Sequence, residues 1–192
     1  MKNMIANIFL QVIVFLSGIV LPRFFLEAYG SSINGMVTSV NQFLMYLGLA
    51  EAGVGTASVV ALYGPLAEEN QNEINSILSA TRRFYNRSGY LFGALVAGFV
   101  FIYPYLITQQ LSASLVRTMI LILASSTLVD YFCLGKYKVL LTANQKGYVI
   151  AYIQALGTTL NMAVTILLIY NHANVLLVKG IATLVYILRF FL

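Results

Sequence analysis

The chain has 192 residues, 60% hydrophobic and only 9% charged, with a formal net charge of +5 and a mean hydropathy of +0.86. A water-soluble domain carries roughly 25% charged residues, so too little polar surface is present to cover a globule, and the fold class read from composition is an all-α integral membrane protein. Cys133 is the sole cysteine and there is one histidine, which excludes an intrachain disulfide and leaves too few soft ligands for a zinc or iron site; no cofactor is expected.

The first apolar run, 4–26, is too long for a signal-peptide core, and no small-x-small cleavage site follows it. It reads as a retained first span, with Pro22 near its outer end, where neighbouring helices can satisfy the freed carbonyl. Residues 27–35 carry turn chemistry and predict a short loop. The second span is 36–63, closing at Gly64-Pro65. In 66–81 the chain turns polar while Ile74, Ile77, Leu78 and Thr81 recur at helical spacing, and Asn70 followed by Glu73 fits a capping box. That pattern predicts a separate amphipathic helix lying in the cytoplasmic interface. Arg82, Arg83 and Arg87 lead into a third span, 90–107, followed by a fourth at 116–138. The polar segment 142–147 precedes a fifth span, 148–170. The turn Asn171-His172-Ala173-Asn174 precedes a sixth, 175–192. The expected organisation is one transmembrane domain, a bundle of about six helices.

Lysine and arginine placement orients the bundle. With a cytoplasmic N-terminus, the inner side holds Lys2, Arg82, Arg83, Arg87, Lys136, Lys138 and Lys146. The outer side holds Arg23 and Arg117, with Lys179 just inside the sixth span. The positive charge therefore records topology in a multi-pass membrane protein, and no nucleic-acid partner is expected.

Charges at membrane depth cost roughly 2.5–3.5 kcal/mol each on insertion scales, so Glu51 in span two and Asp130 in span four should face the bundle interior or a wet cavity. Either could titrate protons, or simply pair with Lys136, Arg87 or a backbone group. Gln154, Thr158, Asn161 and Thr165 fall on one stripe of span five. They could line an aqueous path suited to sugar hydroxyls or bind one helix to another. Thr38, Asn41 and Gln42 add polar groups to the outer half of span two. Asn41 and Glu51 point about 80° apart on an ideal helix, although the small-residue run Gly48 to Gly55 could bend it. Arg23 and Arg117 either anchor their helices to headgroups or meet substrate. Arg82, Arg83 and Arg87 could grip phosphate through the bidentate fork or serve only as inner anchors. No phosphate-binding glycine loop, metalloprotease motif or Ser/His/Asp set is present, so no enzyme activity is expected.

Three stretches resemble bacterial polysaccharide flippases of the multidrug/oligosaccharidyl-lipid/polysaccharide exporter superfamily. They are Leu21-Pro22-Arg23-Phe24, then Tyr29-Gly30-Ser31-Ser32-Ile33-Asn34-Gly35 continuing through the run Leu49 to Gly55, and finally Asp130-Tyr131 through Lys146. Members of that family have two six-helix lobes about a central cavity. The resemblance therefore implies one lobe, an N-terminal portion whose partner is a C-terminal lobe or a second copy. It also implies a bacterial cytoplasmic membrane location and, as partners, membrane lipid and an undecaprenyl-diphosphate-linked oligosaccharide moved to the outer leaflet for surface polysaccharide synthesis. On that reading Arg23, Arg82, Arg87 and Lys136 attract diphosphate. Asn41, Gln42, Gln154 and Asn161 contact sugar, and Glu51 or Asp130 couples to protons. The alternatives are a multidrug cation antiporter of the same superfamily, a non-catalytic membrane subunit, and a membrane enzyme acting on lipid-linked sugars.

Overall fold

The computed structural model describes residues 1–49, 52–107 and 111–188, with backbone only at Leu49 and Ala52. The expectation placed on Glu51 lies outside the described residues. The elements are α1 (Lys2–Leu49), α2 (Ala52–Ala67), α3 (Gln71–Ile107), α4 (Ala113–Val129), a π-helical turn (Asp130–Leu134), α5 (Gly135–Ala143), α6 (Gly147–Tyr170) and α7 (Val175–Leu188). All regular structure among the described residues is helical. Four stretches are long and apolar enough to cross a membrane: Lys2–Gly48, Gln71–Ile107, Ala113–Ala143 and Gly147–Tyr170. Gly53–Ala67 and Val175–Leu188 are shorter apolar helices.

Drawn out straight, a helix of the length of α1 would measure roughly 72 Å, more than twice the hydrocarbon thickness of a bilayer. It is not straight. Gly30 has φ 80° and ψ 172°, a conformation open essentially to glycine alone, and the chain reverses there. Before it, Asn3 Oδ1 accepts the Tyr148 amide at 2.8 Å, and Asn3 Nδ2 donates to the Gln145 carbonyl at 2.9 Å. Ala6 and Leu10 pack on Ala151 and Ala155, and the Tyr29 hydroxyl donates to the Ala173 carbonyl at 2.7 Å. The first half of α1 thus runs beside α6 in the same direction. After Gly30 the chain heads back. Phe43 stacks on Phe99 at 3.8 Å, and further along Leu62 packs with Ile74, Val139 and Ala143.

The main core joins Met36, Val37 and Val40 of α1 to Phe92 and Val96 of α3, Met119 and Ile120 of α4, and Val178 of α7. Large apolar side chains also cover the outside, among them Phe9, Phe15, Leu91, Phe101, Ile102 and Leu160. Helices whose backbone groups bond internally and whose exterior is apolar suit hydrocarbon as solvent.

Three helices end alike. Glu69, Gln145 and His172 take positive φ values of 52°, 57° and 54°. The next amide in each case donates five residues back, from Asn70 to Pro65, Lys146 to Leu141 and Ala173 to Leu168. This is the Schellman closure, which satisfies orphan carbonyls.

Two expectations need correction. Residues 27–35 are not a loop: helix continues on both sides of Gly30, because that glycine alone makes the turn. Residues 66–81 are not a separate amphipathic helix. Leu66 and Ala67 close α2, and 71–81 are the opening turns of α3, which runs unbroken to Ile107. No proline stands between the polar and apolar parts, and the helix runs on through Gly89, so backbone hydrogen bonding carries straight through the change of composition. The Asn70 cap is present, with the Glu73 amide donating to Asn70 Oδ1 at 3.3 Å. Its return bond differs: Asn70 Nδ2 donates to Glu73 Oε2 at 3.2 Å.

Candidate functional site

Asp130 opens the π turn, and one cation and one phenol meet it there. Lys138 Nζ lies 3.0 Å from Asp130 Oδ1, and the Tyr186 hydroxyl donates to Asp130 Oδ2 at 3.0 Å. Oδ1 is buried and outside hydrogen-bond geometry with any donor among the described residues, so the ammonium compensates its charge without a directed bond. The partner is therefore Lys138, neither Lys136 nor Arg87.

The π turn explains the pairing. The Gly135 amide donates to the Asp130 carbonyl, a bond spanning five residues where an α-helix spans four. On an α-helix Lys138, eight steps from Asp130, would point about 80° away. With one residue absorbed by the π turn, eight steps act as seven, which miss two full turns by only about 20°. The extra residue thus brings Lys138 under Asp130. The turn is also tightly packed: Gly135 lies so close to the Tyr85 ring that a Cβ there would collide, and a Cβ on Gly89 would sit 2.9 Å from Phe132 Cζ.

A cavity of about 210 Å³ opens here, lined by Gly48, Tyr85, Thr127, Asp130, Tyr131, Gly135 and Lys138. It is polar and wide enough for water. Chemically it offers a carboxylate already balanced by an ammonium and steadied by a phenol from α7, an arrangement that ties three segments together. Among the described residues no three His, Cys, Asp or Glu side chains gather to hold a metal.

The other expected residues disperse. Arg23 is exposed and paired with Glu27 at 3.1 Å on its own helix, at the end opposite Asn3. Asn41 and Gln42 are exposed. Arg82 and Lys136 do meet, in a second cavity of about 190 Å³ with Asn75, Ser79 and Tyr137, whereas Arg87 is exposed and stands apart from that cavity. Gln154 is half-buried. Asn161 Nδ2 donates to the Ala182 carbonyl at 2.8 Å and its Oδ1 accepts from buried Thr165 at 3.3 Å, so this pair joins α6 to α7.

Sequence reasoning missed Lys138 and Tyr186 as the partners of Asp130. Lys138 was hidden by the phase shift, and Tyr186 lies 56 positions away in a run that looks uniformly apolar. The only local signal was Gly135 five residues after Asp130, where a helix can accept a close neighbour. Comparison with protein-family models, with curated proteins and with solved structures finds no match for this chain.

Proposed function

We propose that this chain is one lobe of a transporter that moves a lipid-linked oligosaccharide across a bacterial cytoplasmic membrane, multi-pass and with its N-terminus inside. The observation that carries the reading is the exposure of Asn41 and Gln42, which have no hydrogen-bond partner among the described residues. They stand eleven and twelve positions, about 16 and 18 Å, beyond the Gly30 reversal, on a stretch that also carries Asn34, Thr38 and Ser39. Bare amides facing acyl chains are costly, whereas amides facing a water-filled passage between two bundles can bind sugar hydroxyls. A second lobe or a second copy would complete that passage. The gathering of Lys2, Arg82, Arg83, Lys136 and Lys146 at the Asn3 end supports the inside assignment. An inside-negative potential would then favour outward movement of an anionic diphosphate by roughly 2.3 kcal/mol per charge per 100 mV.

A multidrug cation antiporter would need a carboxylate free to meet its cation; among the described residues, Asp130 at membrane depth already has Lys138. The test is photocrosslinking from residues introduced singly at Asn41 and Gln42, with exposed Phe15 in the first half of α1 as the control. Capture of a radiolabelled undecaprenyl-diphosphate oligosaccharide from positions 41 and 42, but not 15, is expected. Equal capture at all three positions removes the passage from this face.

A further inference from the structure

We propose that the cavity between α3 and α5 is a binding site for the phosphate group of a membrane lipid, read by Arg82 and Lys136. The inference requires only that the chain sits in a bilayer and stands apart from the transport reading.

The local sequence builds the site. Asn75, Ser79 and Arg82 are spaced four and three apart on α3, which sets them in one row on a single helical face. Lys136 and Leu140, one turn apart on α5, line the same cavity, as does Leu78 of α3. Two cations, an amide and a hydroxyl thus surround a space with apolar walls, the donor chemistry that phosphate oxygens accept. The guanidinium offers a planar fork for two oxygens and the ammonium a point charge. Lys136 Nζ is held 4.6 Å from the centre of the Tyr137 ring, so its head is placed before any ligand arrives.

Among the described residues no carboxylate lines the cavity, and none pairs with Arg82 or Lys136. Glu73, on the same helix, is engaged by the Asn70 cap, and Asp130 by Lys138. Arg83 and Arg87 on the same helix are exposed, as is Arg82, but neither lines the cavity. Depth agrees as well. Arg82 stands eight positions, about 12 Å, before the start of the apolar stretch 90–107, at the level where headgroups begin. The leucine walls suit the glycerol and first methylenes of such a lipid. Basic recesses between membrane helices on the cytoplasmic side bind anionic headgroups by this chemistry.

The experiment uses the whole chain in nanodiscs of phosphatidylcholine containing a minority of phosphatidylglycerol, with retained lipid read by native mass spectrometry. Enrichment of phosphatidylglycerol is expected, falling about tenfold in the double variant Arg82→Ala/Lys136→Ala. It should be largely kept in Arg82→Lys/Lys136→Arg and unchanged in Arg83→Ala. A second arm adds millimolar inorganic phosphate. Displacement of the lipid assigns recognition to the phosphate alone, and persistence assigns it to the lipid as a whole; both keep the site. Undiminished enrichment in the double alanine variant overturns the proposal. So does an equal loss in Arg83→Ala, which would mean diffuse attraction to a basic surface. Retained helical circular dichroism in the double variant separates loss of binding from loss of fold.

Discussion

Replacing Lys138 by methionine leaves the Asp130 carboxylate without its cation, with one oxygen buried and undonated. At 3.0 Å and an effective dielectric constant of about 20, the gross attraction is about 5 kcal/mol. Desolvation of both ions offsets much of it. With the side chains 25% and 34% exposed, water screens more, leaving about 1–2 kcal/mol net. The single variants should be unequal. Lys138→Met should cost about 2–3 kcal/mol because a largely enclosed charge is orphaned. Asp130→Asn should cost about 1 kcal/mol, since the lysine can turn its ammonium to water. The double variant Asp130→Asn/Lys138→Met should lie within about 1 kcal/mol of the parent, giving a coupling energy of at least about 2 kcal/mol. Detergent-solubilised protein titrated with sodium dodecyl sulfate and followed by circular dichroism measures all four corners of the cycle. Additive losses in the double variant would refute the ion-pair reasoning, and an unperturbed Lys138→Met would refute the burial reasoning beneath it.

Gly30→Ala forces an L-residue into φ 80°, ψ 172° although nothing lies within 4 Å of the added methyl. Strain alone should then cost about 1–3 kcal/mol in the same titration, while Gly18→Ala, also open, should cost nothing. Equal midpoints for the two variants would show that the reversal does not need glycine. His172→Gly relieves a left-handed residue at φ 54° and should stabilise by about 0.5–1 kcal/mol after the glycine entropy is subtracted; a lowered midpoint would count against the strain assigned to that helix end.

The apolar runs were legible because hydropathy integrates over many residues, and the Asn70 cap because its chemistry is local. The Gly30 reversal was half legible. Glycine and serines marked the place, but the same residues suggested an unstructured link where one dihedral pair suffices. The continuity of α3 was illegible because composition changes at Arg82 while the backbone does not. The Asp130 site failed for a phase reason, since helical arithmetic assumes a constant turn and one extra residue rotates everything after it. Asn161 belonged to a visible stripe, yet only the position of α7 reveals that its amide is spent on the Ala182 carbonyl.

The bonds from Asn3 to Gln145 and Tyr148 span 142 and 145 positions, and that distance sets an order of assembly. The first half of α1 leans chiefly on α6, which does not exist when α1 leaves the ribosome. At ~5–20 residues per second of synthesis the delay is roughly 7–30 s. During that interval the earliest segment waits with its eventual docking surface bare, so the first piece made is among the last to find its seat.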